Sequence, residues 1–512
     1  MSQTSDEHAA TDRTVGDGPY SRLILRNVTI VDGTLAPPQG PVDIVVEGNR
    51  IQALYLVNSP MARMQARTRP EAGPDGREID LTGHWVLPGL FDCHGHIASA
   101  NKAPSVQYPY DLWLAHGVTS VRDPGCFRNG LDFTRREADR SADNSIAAPR
   151  IAPYVGFGEG RDEPFREPDE ARAWVASAAE RGADGIKFFG YEPVIFKAAI
   201  EEANKLGLGT ACHHAPITLG GANALTTSRW GLTSIEHWYG IPEAMFSGQR
   251  VQNYPVDYNY EDEQQRFYQS GQVWQQAAEP GSAPWNQLID DLLEAGATLC
   301  PTFEVYATCR DVEKARTSAW HSDYTAPQMW DFWRPNPHNH GSVFYDWTTE
   351  MEVAWRHNFE RWMAFVSDYY HRGGRVVTGT DPGNAYKLWG FGSVEELELF
   401  REAGLHPLEV INAATLQSAE LLGVGADLGS ITPGKIADLV VVGENPLANL
   451  KVLYANGRVR LREGGELDRS GGVRYTIKDG IVYDAPQLLA RVADQVAEAR
   501  AKAGQTALEP LG

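Results

Sequence analysis

The stretch Val86-Leu87-Pro88-Gly89-Leu90-Phe91-Asp92-Cys93-His94-Gly95-His96 decides the fold prediction for this chain of 512 residues. Its apolar residues are typical of a buried strand, and two histidines separated by one glycine follow them. Side chains i and i+2 of an extended strand point to the same side, so His94 and His96 can offer two imidazoles to one cation. Two nitrogen donors at a strand end suit a metal such as Zn²⁺, and a pair of surface histidines is the alternative interpretation.

Strand-like apolar runs alternate with helical patterns from residue 87 to about residue 423, which predicts an α/β fold with a parallel sheet. Further runs of this kind lie at 117–122, 185–189, 209–213, 233–237, 298–302 and 375–380. Six or more such strands favour a closed (β/α)₈ TIM-like barrel over an open sheet.

Short β-rich runs flank this region on both sides. The simplest architecture folds residues 21–86 together with residues 424–485 as one small β-sandwich domain, with the barrel at 87–423 inserted between its halves. Residues 1–20 are polar and acidic, which predicts a disordered N-terminal tail without a secretory signal. Residues 486–512 are predicted to form a C-terminal helix and tail on the outside.

The span 241–372 is too long for a single barrel connection, and we interpret it as an insertion. It holds eight of the fourteen tryptophans, at positions 274, 285, 320, 330, 333, 347, 355 and 362. Functional insertions in barrels usually lie over the C-terminal mouth. A helical appendage whose tryptophans fill its own core or an oligomer contact is equally compatible with the pattern.

Composition narrows the function classes. The 46 basic and 67 acidic residues give a formal charge of −21, which disfavours nucleic acid and anionic membrane surfaces as partners. No run approaches the roughly 18 apolar residues of a membrane-spanning helix. The five cysteines form no CxxC pair and are odd in number, so a disulfide scaffold is disfavoured and a reducing cytoplasm is expected.

Functional groups of a barrel enzyme are expected at its strand ends. Lys187 lies within an apolar strand, where an unpaired ammonium is costly, so its side chain is neutral, paired or chemically changed. Near two cations, a neutral amine can capture CO₂ as a carbamate, whose carboxylate could bridge two metals. A strand-end lysine that extends to solvent is the alternative.

Three more strand ends carry candidate ligands. One run ends in His213 and His214, of which only one can share the ligand face, and we choose His213 because it follows the apolar stretch most directly. His214 is then a substrate contact, a support for another ligand or an ordinary core residue. The other two runs supply His237 and Asp381, and Tyr239 is a candidate substrate contact just beyond His237.

Two other patterns are not assigned to the site. His338 and His340 also have HxH spacing, but Pro337 and Gly341 place them in a loop, which disfavours metal binding. Asp123 ends a strand, but the turn residues that follow it argue against a catalytic role.

The ordered ligand set resembles that of the amidohydrolase superfamily of metal-dependent hydrolases: His94, His96, Lys187, His213, His237 and Asp381. More narrowly, it is similar to the imidazolonepropionase-related branch, which includes prolidase-like dipeptidases. The likeness covers roughly residues 22–240 and 373–485, and Ile431-Thr432-Pro433-Gly434-Lys435-Ile436-Ala437-Asp438-Leu439-Val440 is very similar to the family's return into the β domain. The span 241–372 departs from the branch and leaves the substrate open.

The resemblance implies a binuclear metal centre, with Zn²⁺ as the expected metal and Mn²⁺, Co²⁺ or Fe²⁺ as alternatives. His94, His96 and Asp381 would hold one ion and the two remaining histidines the other, with Lys187, carboxylated by CO₂, between them. Two cations roughly 3.5–4 Å apart share a hydroxide and polarise a carbonyl. Asp381 can take the proton of the hydroxide and hand it to the leaving nitrogen. A mononuclear site with an unmodified lysine and as few as four ligands is the alternative.

The expected activity is hydrolysis of a C–N bond in an amide substrate that has an apolar or aromatic part, by a subunit of a homo-oligomer. Ring deamination is a second class, but deaminases of this superfamily tend to place a glutamate three residues after the corresponding histidine. Here Pro216 and Ile217 occupy those positions. Metal-assisted lyase chemistry, such as decarboxylation, is a third class that the ligand set permits.

Overall fold

The computed structural model describes residues 8–57, 68–127, 129–341 and 344–504. Its strands, in chain order, are β1 (Arg22–Ile30), β2 (Gln39–Glu47), β3 (Arg50–Leu56), β4 (Arg77–Asp80), β5 (Trp85–Pro88), β6 (Leu90–Asp92), β7 (Val118–Gly125), β8 (Arg150–Gly156), β9 (Gly185–Phe188), β10 (Gly209–Cys212), β11 (Ser234–Glu236), β12 (Thr298–Cys300), β13 (Arg375–Val376), β14 (Leu439–Val442), β15 (Arg458–Leu461), β16 (Leu467–Ser470), β17 (Val473–Lys478) and β18 (Ile481–Asp484).

The α-helices span Gln107–Ala115, Leu131–Ala142, Pro168–Glu180, Pro193–Lys205, Ala224–Arg229, Glu263–Ser270, Ala283–Glu294, Phe303–Arg310, Val312–Arg316, His321–Tyr324, Pro327–Phe332, Thr349–His371, Phe391–Glu402, Pro407–Asn412, Ser418–Leu421 and Ala485–Ala503. Among the described residues, none of these helices is both long and apolar enough to cross a bilayer.

Strands β6 to β13 are parallel neighbours in sequence order and form the barrel. Backbone hydrogen bonds join the first strand to the last, because Cys93 N donates to Thr378 O and Asp381 N donates to His94 O, both at 2.8 Å. The predicted closed α/β barrel is therefore confirmed. In such a barrel the side chains that follow each strand meet at one mouth.

The small β domain draws its strands from both sides of the barrel, as predicted. Its strands form one continuous sheet in the order β18-β17-β14-β5-β1-β2-β3, with β4 paired to β1. Apolar side chains from both halves, such as Leu25, Val86 and Leu439, share one buried core. The barrel is thus inserted into a β domain that neither flank could complete alone.

The stretch 86–96 is divided between the two sheets. It was predicted as one strand, but β5 belongs to the small domain and β6 to the barrel, with Gly89 between them. Gly89 N donates to Asp438 O at 2.7 Å, which fixes the junction against the returning chain. A side chain at position 89 would meet Thr119 Oγ1 at 2.1 Å, so glycine is required there.

The predicted disorder of residues 1–20 is wrong for the described part, residues 8–20. His8 is buried against the barrel, and isolated β-bridges join Asp12 to Ile146 in the barrel and Asp17 to Val482 in the small domain. Backbone pairing holds this polar segment, so its low content of apolar residues was misleading. Residues 1–7 and 505–512 of the two predicted tails lie outside the described residues.

The span 241–372 is not one insertion, because strand β12 runs through it and divides it into two connections. Five of its tryptophans have fully buried side chains: Trp274, Trp285, Trp333, Trp355 and Trp362. Trp274 packs against Trp285, and Trp355 and Trp362 lie on the long helix Thr349–His371, where they contact Tyr306 and Trp238. Trp333 packs against Trp330 and Tyr386, so these rings fill the core of this region. Other residues of the same two connections reach the barrel mouth.

Candidate metal centre and active site

A cavity of about 330 Å³ opens at the C-terminal ends of the barrel strands. Its lining residues are His94, His96, Phe127, Lys187, Phe189, His213, His237, Tyr260, Arg266, Phe267, Val305, Tyr306, Cys309, His340, Phe344, Asp381, Asn384 and Ala385. All six side chains expected as metal ligands from the sequence lie in this one set. They come from β6, β9, β10, β11 and β13 or from the residues that directly follow these strands.

Four imidazoles and one carboxylate surround the cavity floor. Ligand atoms of His94, His96 and Asp381 lie within 4.8 Å of one another, so these residues could hold one metal ion. The ring of His237 lies 4.9 Å from that of His94 and 4.8 Å from that of His213, measured between centroids. The two groups of donors are therefore adjacent.

Lys187 occupies the floor between these donors. Its side chain is buried, and its Nζ finds no hydrogen-bond partner among the described residues. Burial lowers the pKa of Lys187; the positive charge of Arg122 adds to this effect, while Glu236 and Asp381 oppose it. A buried amine without an acceptor is costly in its charged form, so the neutral amine is favoured.

Three of the four histidines also suit metal binding by their protonation. Burial is the largest cause that lowers the pKa of His94, His213 and His237, and the nearby Lys187 adds to it in all three. Neutral imidazole is the form that binds a metal ion. The donor set is consequently ready to bind a cation at neutral pH.

Buried side chains that sequence reasoning missed orient three of these histidines. His94 Nδ1 donates to Glu236 Oε2 at 2.5 Å, and His96 Nδ1 contacts Asp123 Oδ1 at 3.3 Å. His237 Nδ1 lies 2.5 Å from Thr302 Oγ1. Each contact leaves the opposite ring nitrogen, Nε2, for a cation, which is the usual arrangement around metal-binding histidines.

Glu236 is in turn held by a charge of opposite sign. Arg122 Nη2 donates to Glu236 Oε1 at 2.7 Å, and both side chains are completely buried. Burial alone would raise the pKa of Glu236, but Arg122 and His94 outweigh it and hold the pKa below its usual range. One signal in the sequence could have drawn attention to this pair, because each residue is a charged side chain inside a predicted barrel strand.

Glu236→Gln should lower the free energy of unfolding by about 3–5 kcal/mol, because it leaves the Arg122 guanidinium buried without its counter-charge. Chemical denaturation of the metal-free protein measures this loss. The matched control is Glu201→Gln on an exposed helix, where an i,i+4 ion pair with Lys197 contributes at most about 0.5 kcal/mol. Equal losses in the two variants would contradict the assigned role of the buried pair.

The backbone at the strand ends is strained where the ligands are presented. His237, Thr302 and Asp381 have φ values of 63°, 54° and 53°, a region that residues other than glycine rarely adopt. Gly379 lets the last strand approach the first, since a Cβ there would lie 2.7 Å from His94 Cβ. Strain of this kind persists only where the surrounding structure holds it, and it is concentrated at functional sites.

Two residues proposed from the sequence as substrate contacts are not among the described residues that line the cavity. His214 is buried, and its Nε2 lies 2.8 Å from Thr227 Oγ1, because adjacent side chains on a strand face opposite sides. Tyr239 packs its ring behind His213 and donates its hydroxyl to Ser270. The structure therefore places both side chains in the barrel wall, behind the cavity lining.

The loop histidine His340 does reach the cavity, although it is not in a metal-ligand group among the described residues. Its Nε2 lies 2.8 Å from Arg266 Nη2, and its Nδ1 lies 2.8 Å from Glu263 Oε1. The two connections on either side of β12 thus contribute a polar group to the cavity rim.

A second group of potential ligands, His94, Glu236 and Cys300, lies below the first. It is a poor metal site, because Glu236 already accepts hydrogen bonds from Arg122 and Ser234. Burial also raises the pKa of the Cys300 thiol well above its ordinary value, which disfavours the thiolate that a metal requires.

Comparisons with known proteins agree with this architecture. The family model described as "Amidohydrolase family" matches residues 361–482. An adenine deaminase of Mesorhizobium japonicum is 39% identical over 67 residues, a match that covers 13% of this chain and 11% of the deaminase. The chain thus aligns with only about a tenth of that relative's length.

Solved structures resemble the chain over most of its length. A Xaa-Pro dipeptidase with bound methionine in its active site has a TM-score of 0.60 and 20% identity, with 91% of this chain and 100% of that chain covered. Bottromycin amidohydrolase has a TM-score of 0.62 and 19% identity, with coverage of 94% and 91%. The fold is therefore shared, and the resemblance to the amidohydrolase superfamily expected from the sequence is confirmed.

Proposed function

We propose that this chain, which resembles the amidohydrolase superfamily in fold and in the matched residues 361–482, hydrolyses a C–N bond of an amide substrate with the aid of divalent metal ions. One observation carries the proposal. Six donors that are distant in sequence line one cavity, and the amine among them is buried and has no hydrogen-bond partner in the part of the chain that the structure describes.

The donor set fits two ions of the zinc type. His94, His96 and Asp381 would hold one ion, and His213 and His237 the other. Lys187 would bridge them after its neutral Nζ adds to CO₂, which forms an N–C bond and releases one proton. The resulting carboxylate would remove the cost of an unpartnered buried amine. When bound, the ions supply Lewis-acid polarisation of a carbonyl and lower the pKa of water.

The protein's own residues perform the remaining steps. Asp381 lies at the cavity surface, with its Oδ1 3.5 Å from His96 Nε2, where its carboxylate can accept a proton from water. The same carboxyl group can then return that proton to the leaving nitrogen. Glu236, Asp123 and Thr302 fix the rings of three histidines and so fix the position of the reaction.

Aromatic side chains around the cavity support a substrate with an apolar or aromatic part. Phe127 and Phe189 form one wall, with their ring centroids 5.4 Å apart and Phe189 5.6 Å from His213. Phe267, Tyr306 and Phe344 come from the two connections around β12 and line the other side.

Phe189→Ala should lower kcat/KM for an N-acyl amino acid with an aromatic acyl group by about 10- to 100-fold. The ring is 46% exposed in the cavity, and burying an aromatic group against it contributes about 1.5–3 kcal/mol. Steady-state kinetics on paired aromatic and acetyl substrates measures the effect, with the acetyl compound as the internal control. Efficient hydrolysis of small polar dipeptides without any aryl amide activity would contradict the aromatic preference.

Ring deamination is a second candidate, because the short sequence match is to an adenine deaminase. Against it, Asp381 is the one carboxylate among the described residues that line the cavity. A deaminase would need a second acid to protonate the ring. Deaminases of the superfamily tend to have a glutamate three residues after the corresponding histidine, and Pro216 and Ile217 occupy those positions here. Release of ammonia from adenine by the zinc-loaded protein would favour this alternative over amide hydrolysis. Decarboxylase or other lyase chemistry is the further alternative, which product analysis would identify.

The test of the proposed function is metal quantitation on protein produced with and without added bicarbonate, followed by a screen of an amide library. Two equivalents of metal and turnover of an amide are expected. Protein that binds no divalent ion and hydrolyses no amide would overturn the proposal.

All five cysteines are free and buried, which supports the cytoplasm as the proposed location.

A further inference from the structure

We infer that Asn384, oriented by the buried Lys102, is a positioning residue that holds the Asp381 carboxylate in its working geometry. The inference rests on the proposed function, since Asp381 is the proton-transfer group and metal ligand proposed above. It concerns two residues that the sequence motifs did not include. Both lie within one hydrogen-bonded chain that ends at the cavity.

Lys102 is fully buried and follows the candidate ligand His96 by six residues in the sequence. Its Nζ donates to Gly383 O at 2.7 Å and to Asn384 Oδ1 at 2.8 Å, and it lies 4.0 Å from the centroid of the Phe332 ring. Both acceptors are oxygens, which supply hydrogen bonds that a buried lysine nitrogen requires. Lys102 therefore presents a hydrogen-bond donor to the side-chain amide of Asn384.

That donor fixes which way the amide points. An ammonium only donates hydrogen bonds, so the Asn384 atom that faces Lys102 must be the oxygen. The amide nitrogen then faces the other way, where Asn384 Nδ2 donates to Asp381 Oδ1 at 3.1 Å. A flipped amide would oppose NH₂ to the ammonium and its oxygen to the carboxylate, and both contacts would be repulsive.

Asp381 needs such support because its loop is strained. Asp381, Ala385 and Tyr386 all have positive φ, at 53°, 47° and 65°. Strained backbone persists only where neighbouring contacts hold it. Asn384 lies between these residues and lines the cavity, so its amide can act directly on the carboxylate.

The test is a double-mutant cycle on zinc affinity, measured by chelator competition, with kcat and KM as the second readout. Asn384→Ala and Lys102→Met should each weaken zinc binding or lower kcat by about 10- to 100-fold, with KM changed less than threefold. The double variant should lose no more zinc affinity or kcat than the more impaired of the two single variants, because both changes interrupt the same chain of hydrogen bonds. Losses that multiply would overturn the inference.

Asn384→Asp separates positioning from simple packing. It keeps an acceptor for Lys102 but removes the donor toward Asp381, so it should be as impaired in kcat as Asn384→Ala. Wild-type kcat in Asn384→Asp would overturn the inference, and this comparison decides it even if Lys102→Met fails to fold. The matched control is Asn204→Ala. Asn204 lies on the outer helix Pro193–Lys205, where its side chain donates a hydrogen bond to Gly231 O, so this variant should keep full zinc affinity.

The zinc cycle needs no substrate, so the two proposals can fail separately. If the wild-type protein hydrolyses no amide, the proposed function fails while the zinc cycle still decides the role of Asn384. If amides are hydrolysed but the cycle is additive, the inference about Asn384 and Lys102 fails alone.

Discussion

Lys187→Ala should lose amide hydrolysis by about 10³-fold and retain at most one metal ion per chain. The neutral amine has a single lone pair and cannot bridge two cations, whereas the carboxylate formed by addition of CO₂ can. Loss of one of two ions removes several kcal/mol of stabilisation of the developing charge, which corresponds to a rate loss of this size. Elemental analysis and kcat measurements check both parts.

The wild-type protein should also show the modification directly. Carbon-13 NMR after exchange with labelled bicarbonate is expected to show one carbamate carbon in wild type and none in Lys187→Ala. Lys478→Met is the matched control, since Lys478 is equally buried on a strand but donates to Ser141 O and Asn144 Oδ1, far from the cavity. It should lose stability and keep both ions. A Lys187→Ala protein with two ions and full turnover would refute the bridging role.

Asp381→Asn should reduce kcat by about 10²- to 10⁴-fold, the usual contribution of a positioned acid–base group. Asparagine has nearly the same size and keeps one oxygen, but it cannot accept and return the proton. Kinetics at saturating substrate, with the metal content measured in parallel, separates proton transfer from loss of an ion.

The control for this variant is the same substitution at the opposite end of the barrel. Asp184 precedes β9 and pairs with Arg135 at 3.5 Å, so Asp184→Asn should keep kcat within twofold. If Asp381→Asn keeps more than a tenth of wild-type kcat with its metal bound, another residue must transfer the proton.

Much of the fold could be predicted because strand and helix periodicity are local properties. The alternation of runs led to the barrel, and the flanking β-rich runs led to the inserted small domain. Three expectations failed. Residues 8–20 are held by backbone pairing with distant strands, which a local pattern does not report. The stretch 86–96 is divided between two sheets, and the span 241–372 is divided by β12, although the sequence predicts a strand at 298–302.

The candidate site divides in the same way. Its six candidate ligands lie in or follow predicted barrel strands, so the sequence predicts that they meet at the barrel mouth. Glu236 and Arg122 were missed because their meaning depends on a partner across the barrel. Asn384 and Lys102 lie in loops, where no periodicity reports which side chain faces which. The sequence did distinguish the adjacent residues His213 and His214, because it favoured His213, which lines the cavity.

Gly89 is the single residue between β5 of the small domain and β6 of the barrel. The small domain therefore supports the segment that carries His94 and His96, two of the candidate metal ligands. His94 lies only six residues beyond Pro88, the last residue of β5, and Gly89 permits no hinge because it is pinned to Asp438 and packed against Thr119. Displacement of the outer sheet would be passed through this rigid joint to the first imidazole. Substitutions in the shared core around Val86 and Leu439 can therefore displace the candidate ligands and lower activity, although these two residues do not line the cavity.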